Sequence, residues 1–245
     1  MWQKCFSMRS IRVNGEKIII IPKYTIYLIL FFRAMHKEIL NQNQTDLLPL
    51  ISTFKREYYL AGGTAIAFYL GHRRSIDFDL FKYSPINHKR NLDKIKSFKF
   101  PFVITRRVFE QMNITVNDVK MTFYQYPFDI QAETSFEKFL RLPSLLDLAA
   151  MKSYALGRRS KWKDYVDLYF LLKENFSLTE ISNRATEIYG QMFSIKQFIA
   201  QLTYFKDIDC REEVEYLFPN PPTDDEIKET LMEISVNGFA DYKIN

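Results

Sequence analysis

Cysteine, glycine and histidine are scarce in this sequence, and their scarcity excludes several kinds of site. Two cysteines, Cys5 and Cys210, are too few for a disulfide framework or a cysteine-based zinc site, and they suit a reducing compartment. With only 7 glycines in 245 residues, long glycine-rich loops are not expected. The 3 histidines are scattered and form no metal-binding motif; they are His36, His72 and His88.

A membrane-spanning segment is also missing from the sequence. The most apolar stretch, residues 18–32, is interrupted by Pro22 and Lys23 and falls short of the roughly 20 apolar residues that a spanning helix needs. For a secretory signal peptide it begins too late and lacks a small-residue cleavage site. We therefore expect a cytoplasmic protein with no membrane partner.

The sequence does contain an uneven distribution of charge, around a formal net charge of +5. Between Lys82 and Arg107 there are eight basic residues against one acid, Asp93. The tail has the opposite sign, with ten acids and two bases in residues 207–233. Basic surface of this kind attracts polyanions such as nucleic acid, although a solvated lysine-rich surface is the alternative. A second basic cluster comprises Arg158, Arg159, Lys161 and Lys163.

Hydrophobic periodicity and turn residues divide the chain into a mixed half and a helical half, with a boundary near Leu142 and Pro143. The first 34 residues are interpreted as an accessory segment. Strands are predicted as a hairpin over 10–21 that turns at Asn14-Gly15, and over 58–61, 76–81, 102–116 and 119–126, the last two joined at Asn117-Asp118. Helices are predicted over 25–33, 36–54, 64–70, 86–98, 144–156, 162–174, 178–189, 195–204 and 223–234.

Asp77 and Asp79 form the first candidate site. On a strand alternate side chains share a face, so these two carboxylates point the same way, roughly 7 Å apart, while Ile76, Phe78 and Leu80 face a core. Two adjacent carboxylates repel each other, and a hard divalent cation such as Mg²⁺ or Mn²⁺ neutralises them well. The alternative is that both aspartates lie on the solvent face of an edge strand.

The residues before this pair have the properties of a phosphate-binding segment. A glycine pair lets phosphates approach the backbone, and the amides at the start of the following helix suit an anion. Two arginines and a serine between that helix and the aspartates are available to contact phosphate oxygens. A plain turn is the alternative interpretation. The candidate nucleotide-binding residues are Gly62, Gly63, Thr64, Arg73, Arg74 and Ser75, together with Lys152 from a later helix.

Two segments of the chain resemble motifs of the AbiEii/AbiGii toxin family of nucleotidyltransferases, which belongs to the polymerase-β-like superfamily. The run GGTAIAFYLGHRRSIDFDLF (62–81) resembles the first motif, and LAAMKSYALGRRSKWKDYVDLYFLL (148–172) resembles a later one. The resemblance implies an α+β fold, in which a nucleotidyltransferase-type mixed β-sheet flanked by helices (35–142) is followed by a C-terminal helical bundle (143–245). It also implies a nucleoside triphosphate substrate, a growth-inhibiting activity and a cognate antitoxin.

Lys152, Asp164 and Asp167 form the second candidate site. Lys152 shares a helical face with Leu148 and Leu156, and a lysine within an apolar stripe is costly unless its charge is used or its tip snorkels to solvent. Asp164 and Asp167 are neighbours on the next helix. One is available to orient Lys152 and the other to activate an acceptor hydroxyl, and the resemblance makes Asp167 the better candidate for the catalytic position. Asp164 has Arg158 and Lys161 as alternative partners.

Thr122 marks a departure from the family pattern. Polymerase-β-like enzymes commonly place a third carboxylate on a later strand, and the corresponding position here holds a threonine, which cannot act as a carboxylate base. Asp164 or Asp167 takes over that role, or catalysis is weakened.

The hypothesis is a Mg²⁺-dependent transfer of a nucleotidyl group from a nucleoside triphosphate to an acceptor, with RNA or tRNA favoured over a small molecule or protein. The alternative is a non-catalytic nucleotide- or RNA-binding protein.

The acidic tail has two possible roles in this hypothesis. It is able to dock on the chain's own basic clusters, or to repel RNA until it is displaced.

Overall fold

A computed structural model describes residues 9–13, 16–20, 35–156, 158–159 and 161–244 of the chain, with side chains from 35 to 238. The chain divides into two compact units, Met1–Ala34 and Met35–Asn245. In the first, β1 (Arg9–Val13) and β2 (Glu16–Ile20) pair antiparallel with Val13 opposite Glu16, which confirms the predicted hairpin. Its turn and the helix predicted over 25–33 lie outside the described residues.

The second unit begins with alternating helices and strands and ends with helices alone, as predicted. Its strands are β3 (Tyr59–Ala61), β4 (Phe78–Lys82), β5 (Phe102–Val108), β6 (Gln111–Val116), β7 (Val119–Gln125), β8 (Thr134–Phe136) and β9 (Leu140–Leu142). Its α-helices are α1 (Gln42–Ser52), α2 (Gly62–Leu70), α3 (His88–Ser97), α4 (Leu145–Leu156), α5 (Trp162–Glu174), α6 (Leu178–Tyr189), α7 (Ile195–Leu202) and α8 (Asp224–Ile244). Short 3₁₀ helices occupy Lys37–Ile39 and Gly190–Met192.

Five strands form one mixed sheet in the order β3-β4-β7-β6-β5. Only the β4–β7 pair is parallel; the other three neighbouring pairs of this sheet are antiparallel. The sheet and the helices after it confirm the predicted α+β fold. β8 and β9 form a separate two-stranded hairpin.

The two faces of the sheet differ in character because side chains alternate along each strand. On one face, apolar side chains from β4, β7 and β6 pack with α1 into a core that includes Phe54. The core members of the three strands are Phe78, Leu80, Met121, Phe123, Met112 and Ile114. Asp79, Thr122 and Asn113 lie on the opposite face, side by side across β4, β7 and β6.

Strong local signals in the sequence set several helix ends. Ser177 and Glu180 form a capping box at the start of α6, and Gly71 ends α2 with a φ of 62°. α2 packs against both α4 and α5, so it joins the sheet to the helices. None of the described helices is long and apolar enough to cross a membrane. The boundary at Leu142 and Pro143 stays a prediction.

Some predicted boundaries are wrong. The helix predicted over 36–54 is interrupted, because Asn41 caps a new helix through a capping box with Gln44. The strand predicted over 102–116 turns back at Phe109-Glu110 and becomes β5 and β6. That turn contains no glycine, proline or asparagine, so the sequence carries no signal for it.

The aspartate strand also begins later than predicted. β4 starts at Phe78, so Asp77 precedes the strand, and Ile76 is 48% exposed rather than part of the core. The Thr64 hydroxyl donates to the Asp77 backbone carbonyl, which ties this segment to α2 through a side chain instead of through sheet pairing.

Candidate active site

The glycine pair at the start of α2 makes room for other side chains of the site. Gly62 has a φ of 71°, and a Cβ there would collide with the Asp79 carboxylate. A Cβ at Gly63 would lie 2.5 Å from Nη2 of Arg73. Both glycines are therefore required by the close approach of Asp79 and Arg73 to the backbone.

Thr64 and Ser75 fix the segment that carries Asp77. The Thr64 hydroxyl lies 2.8 Å from the Ser75 hydroxyl and donates to the Asp77 carbonyl. The Gln44 side-chain amide donates to the Ser75 carbonyl at 2.9 Å. These buried hydrogen bonds set the position of the Asp77 backbone relative to the start of α2.

Asp77 and Asp79 are half-buried, and neither forms an ion pair with a cation of the described residues. Burial raises the pKa of Asp77, and Oδ1 of Asp77 is buried without a hydrogen-bond partner among the described residues. Burial, followed by the charge of Asp77, also raises the pKa of Asp79. The surrounding cations therefore compensate the charges of these two carboxylates only in part.

Thr122 lies next to Asp79 on the parallel strand β7, and its hydroxyl lowers the pKa of Asp79. The position beside the aspartate strand thus carries a hydroxyl and no third acid. Lys120, two residues earlier on the same face of β7, lowers the pKa of Asp77 by its charge. Lys120 was not predicted as a site residue, although its position two residues before Thr122 places both side chains on the same face of a strand.

Lys152 is buried between the two helical aspartates. Its side chain is 4% exposed, and Nζ lies 2.7 Å from Oδ1 of Asp164 and 2.8 Å from Oδ2 of Asp167. Lys152 therefore does not snorkel to solvent, and both aspartates hold it. An ammonium group has three N–H donors, so one remains after these two contacts.

Asp167 is the centre of a buried charge network. Arg73 donates from Nε at 2.8 Å and from Nη2 at 2.9 Å, and Nε2 of His72 lies 2.8 Å from Oδ1. Burial alone would raise the pKa of Asp167, but the charges of Arg73 and Lys152 outweigh it and hold this pKa well below the ordinary value. Burial lowers the pKa of His72, which favours a neutral ring that donates to Asp167. His72 was not predicted as a site residue.

Asp164 pairs with Arg159 rather than with Arg158 or Lys161. Arg159 donates from Nε at 2.8 Å and from Nη2 at 3.0 Å. Burial opposes ionisation, but the charges of Lys152 and Arg159 dominate and lower the pKa of Asp164. Arg158 instead lies over the Tyr154 ring, 3.4 Å from its centroid.

The two candidate sites lie within electrostatic range of each other. The charges of Arg159 and Lys152, from the helical half, both lower the pKa of Asp79 on the sheet. Two carboxylates on one side and two cations on the other suit a metal–phosphate group between them.

The two arginines predicted to contact phosphates are held by protein groups. Arg73 is bound to Asp167, and Nε of Arg74 lies 2.8 Å from Oε1 of Glu215. Nη1 of Arg74 also points at the carbonyls of Glu38, Ile39 and Leu40. A phosphate-binding role for either arginine stays a prediction that would require these contacts to open.

The acidic segment before α8 lies beside the site. Glu212 contacts Lys161 at 2.8 Å and Lys163 at 3.4 Å, so an acid of the tail does dock on the second basic cluster. The charge of Glu212 raises the pKa of Asp77, which places this acid within electrostatic range of the metal candidate.

A strand, a glycine pair and a helix, followed by one aspartate just before and one within the neighbouring strand of a mixed sheet, are the arrangement expected of a nucleotidyltransferase. The sequence model of the family described as nucleotidyl transferase AbiEii toxin, type IV toxin–antitoxin system, matches residues 50–234. The chain belongs to this AbiEii nucleotidyltransferase toxin family.

Two known proteins are similar to this chain, one in sequence and one in structure. An uncharacterized protein of Aquifex aeolicus is 30% identical over 167 residues, which cover 64% of this chain and 77% of that protein. The structure of MenT4, a nucleotidyltransferase toxin of Mycobacterium tuberculosis, has a TM-score of 0.55 at 12% identity, with 88% of each chain covered. At that identity the likeness shows the fold alone.

Proposed function

We propose that the chain transfers a nucleotidyl group from a nucleoside triphosphate to an RNA hydroxyl, with tRNA as the leading acceptor. The supporting observation is that Asp77 and Asp79 form no ion pair among the described residues, while the charges of Lys152 and Arg159 act on Asp79. Membership of a nucleotidyltransferase toxin family supports the reaction class. The basic clusters of the chain favour a polyanionic acceptor.

Asp77 and Asp79 would hold Mg²⁺ or Mn²⁺. Two observations support a metal ion here: Oδ1 of Asp77 is buried without a hydrogen-bond partner among the described residues, and the pKa values of both carboxyl groups are raised. No group of three or more His, Cys, Asp or Glu side chains that could hold a metal exists in the described residues, so nucleotide phosphates would complete the coordination. Once bound, the ion would neutralise charge that develops on the phosphates.

The helical residues would bind and orient the nucleotide. The oxygen of the acceptor hydroxyl forms a bond to the α-phosphorus while the bond to pyrophosphate breaks; the hydroxyl proton passes to water, and the electron pair and negative charge leave with pyrophosphate. The remaining N–H of Lys152 and the guanidinium of Arg159 are the cations available to that charge. Asp164 and Asp167 have lowered pKa values and are already fully engaged, so they act as positioning residues and are weak bases.

Nucleotidyl transfer is tested by incubating the protein with each labelled nucleoside triphosphate, Mg²⁺ and total RNA. Wild type should label RNA with at least one nucleotide, and Asp77→Asn should not. Asp93→Asn is the matched control, because Asp93 is exposed on α3, and it should label like wild type. Mg²⁺ with nucleotide should also raise the melting temperature of wild type but not that of Asp77→Asn. Equal labelling by Asp77→Asn, or none by wild type with any nucleotide, contradicts the proposal.

Thr122 favours a second candidate function, a non-catalytic nucleotide- or RNA-binding protein. It occupies the place beside Asp79 where a third carboxylate is expected. This alternative predicts RNA binding that survives Asp77→Asn and Lys152→Ala, with no transfer by any variant. Label on a small molecule or a protein, and none on RNA, would change the acceptor but keep the reaction.

A cognate antitoxin is proposed from the family, and co-expression of the neighbouring gene should then relieve growth inhibition.

A further inference from the structure

A groove with four cationic residues lies at the end of the sheet away from the aspartates. It has a volume of about 390 Å³ and is formed by the turn before β3 and by the β8–β9 hairpin. Its cationic residues are Lys55, Arg56, Lys138 and Arg141. Glu137 is the acid in its lining, and it contacts Lys37 at 3.5 Å.

The walls of this groove are fixed by two reciprocal hydrogen bonds. Nζ of Lys55 donates to the Lys138 carbonyl at 2.9 Å, and Nε of Arg141 donates to the Lys55 carbonyl at 2.8 Å. Each bond runs from a side chain of one wall to the backbone of the other. The groove is therefore built by specific contacts, and the exposed side chains of Arg56 and Lys138 project from a fixed frame.

The charge of the groove is not neutralised by the protein. None of its four cations forms an ion pair with an acid of the described residues. At the candidate active site, by contrast, Lys152, Arg159, Lys161 and Arg74 each contact a carboxylate. Four unpaired cations in one concavity would repel each other unless an anion binds there.

The positive surface continues onto the basic helix α3. The carboxylate of Glu57, next to Arg56 in sequence, is shared by Lys82 at 3.8 Å, Arg90 at 3.4 Å and Lys94 at 3.0 Å. One acid therefore serves three cations, which leaves an excess of positive charge beside the groove. An extended polyanion fits this distribution better than a single small anion does.

We infer that this groove binds backbone phosphates of the RNA acceptor, and the choice of RNA rests on the proposed function. The groove lies at the N-terminal end of β3, whereas Asp79 pairs with Ala61 at the C-terminal end of that strand. Ala61 is five positions after Arg56, so the two lie at most roughly 18 Å apart, the reach of a fully extended chain of that length. Several nucleotides of RNA span that distance, so one molecule can reach both places.

The test measures RNA binding without nucleotide. Fluorescence anisotropy of a labelled single-stranded oligoribonucleotide, and competition by bulk tRNA, are compared between wild type and the double variant Arg56→Glu/Lys138→Glu. Binding should weaken by about tenfold or more, and the slope of log affinity against log salt should become shallower by about 1.4, at ~0.7 per lost single-strand contact. The matched control is Lys196→Glu/Lys206→Glu, which makes the same charge change at exposed lysines of the helical half. Circular dichroism checks that both variants fold.

The outcomes separate this inference from the proposed function. RNA binding equal in the groove variant and the control variant, or no RNA binding by wild type, overturns the groove as an RNA site, whether or not labelling occurs. Loss of binding by the groove variant with no labelling by wild type supports the groove and rejects transfer to RNA. Binding to phosphatidylserine vesicles that the groove variant loses, with RNA binding unchanged, also overturns the inference, because the occupant would then be a lipid surface.

Discussion

Two pairs of aspartates lie in the candidate active site, and they are held in opposite electrostatic states. Asp164 and Asp167 are surrounded by Lys152, Arg73 and Arg159, and their pKa values are lowered. Asp77 and Asp79 are only partly buried and form no ion pair among the described residues, and their pKa values are raised. Asp164 and Asp167 are paired within the protein, whereas we propose that Asp77 and Asp79 take a cation from outside.

This difference separates structural from catalytic roles. A fully paired buried carboxylate holds its partners in position and destabilises the fold when it is removed. An unpaired one destabilises the fold by its presence and is expected where a ligand supplies the missing charge. Substitutions in the two pairs should therefore have opposite effects on stability, and activity should separate from stability only in the sheet pair.

The largest expected effect is the loss of stability in Asp167→Asn. The substitution leaves Arg73 and Lys152 buried with reduced compensation, and breaking a buried ion pair costs about 3–5 kcal/mol. Urea unfolding followed by circular dichroism measures it, with the exposed Asp93→Asn as control. A loss below about 1 kcal/mol would show that the network is not what holds α5 to the segment before β4.

The next effect is a loss of activity without a loss of stability in Asp79→Asn. Removing one charged metal ligand should reduce kcat/KM about 10²- to 10³-fold, comparable to the loss of one preorganised electrostatic contact. The free energy of unfolding at pH 7 should stay the same or rise, because an uncompensated buried charge is removed. Labelling assays and urea unfolding on the same preparations measure both. A strongly destabilised Asp79→Asn would mean that this carboxylate has a cationic partner in solution.

The smallest effect is a difference in pH dependence between the two pairs. A carboxyl whose pKa is raised by folding binds more protons in the folded state, so its contribution to stability falls as pH rises from the ordinary aspartate range through the raised pKa. A carboxyl whose pKa is lowered contributes stability that is present above the ordinary range and lost as pH falls through the lowered pKa. The difference in unfolding free energy, wild type minus Asp79→Asn, should therefore decrease with rising pH, and wild type minus Asp164→Asn should increase. If both differences in unfolding free energy changed in the same direction with pH, the proposed contrast between the two aspartate pairs would be wrong.

Local signals in the sequence predicted most of the fold. Asn117-Asp118 forms a two-residue turn in which both residues have positive φ, at 49° and 61°, and Gly71 ends α2. Two strand boundaries were predicted wrongly, for different reasons: the turn at Phe109-Glu110 has no local signal, and the start of β4 depends on a side chain from elsewhere. The start of β4 moved because Thr64 satisfies the Asp77 carbonyl, which no window around Asp77 can reveal.

The sequence pointed to several residues of the candidate site but not to the contacts between them. The motifs and helical spacing indicated Lys152, Asp164 and Asp167 together. They did not indicate that Arg73 and His72 bind Asp167, because those contacts span 94 and 95 residues. The choice of Arg159 over Arg158 depends on how α4 and α5 pack, and charge type alone does not distinguish them.

The contact between Arg73 and Asp167 has a consequence for synthesis of the chain. The ribosome makes Arg73 early, and the carboxylate that accepts its guanidinium follows 94 residues later. Until α5 has left the exit tunnel, the Arg73 guanidinium lacks its carboxylate partner, and long-range contacts of this kind form late. A nascent or truncated chain that stops before Asp167 would carry both glycines and both sheet aspartates but no assembled centre. For a growth-inhibiting enzyme, this delays activity until the chain is nearly complete.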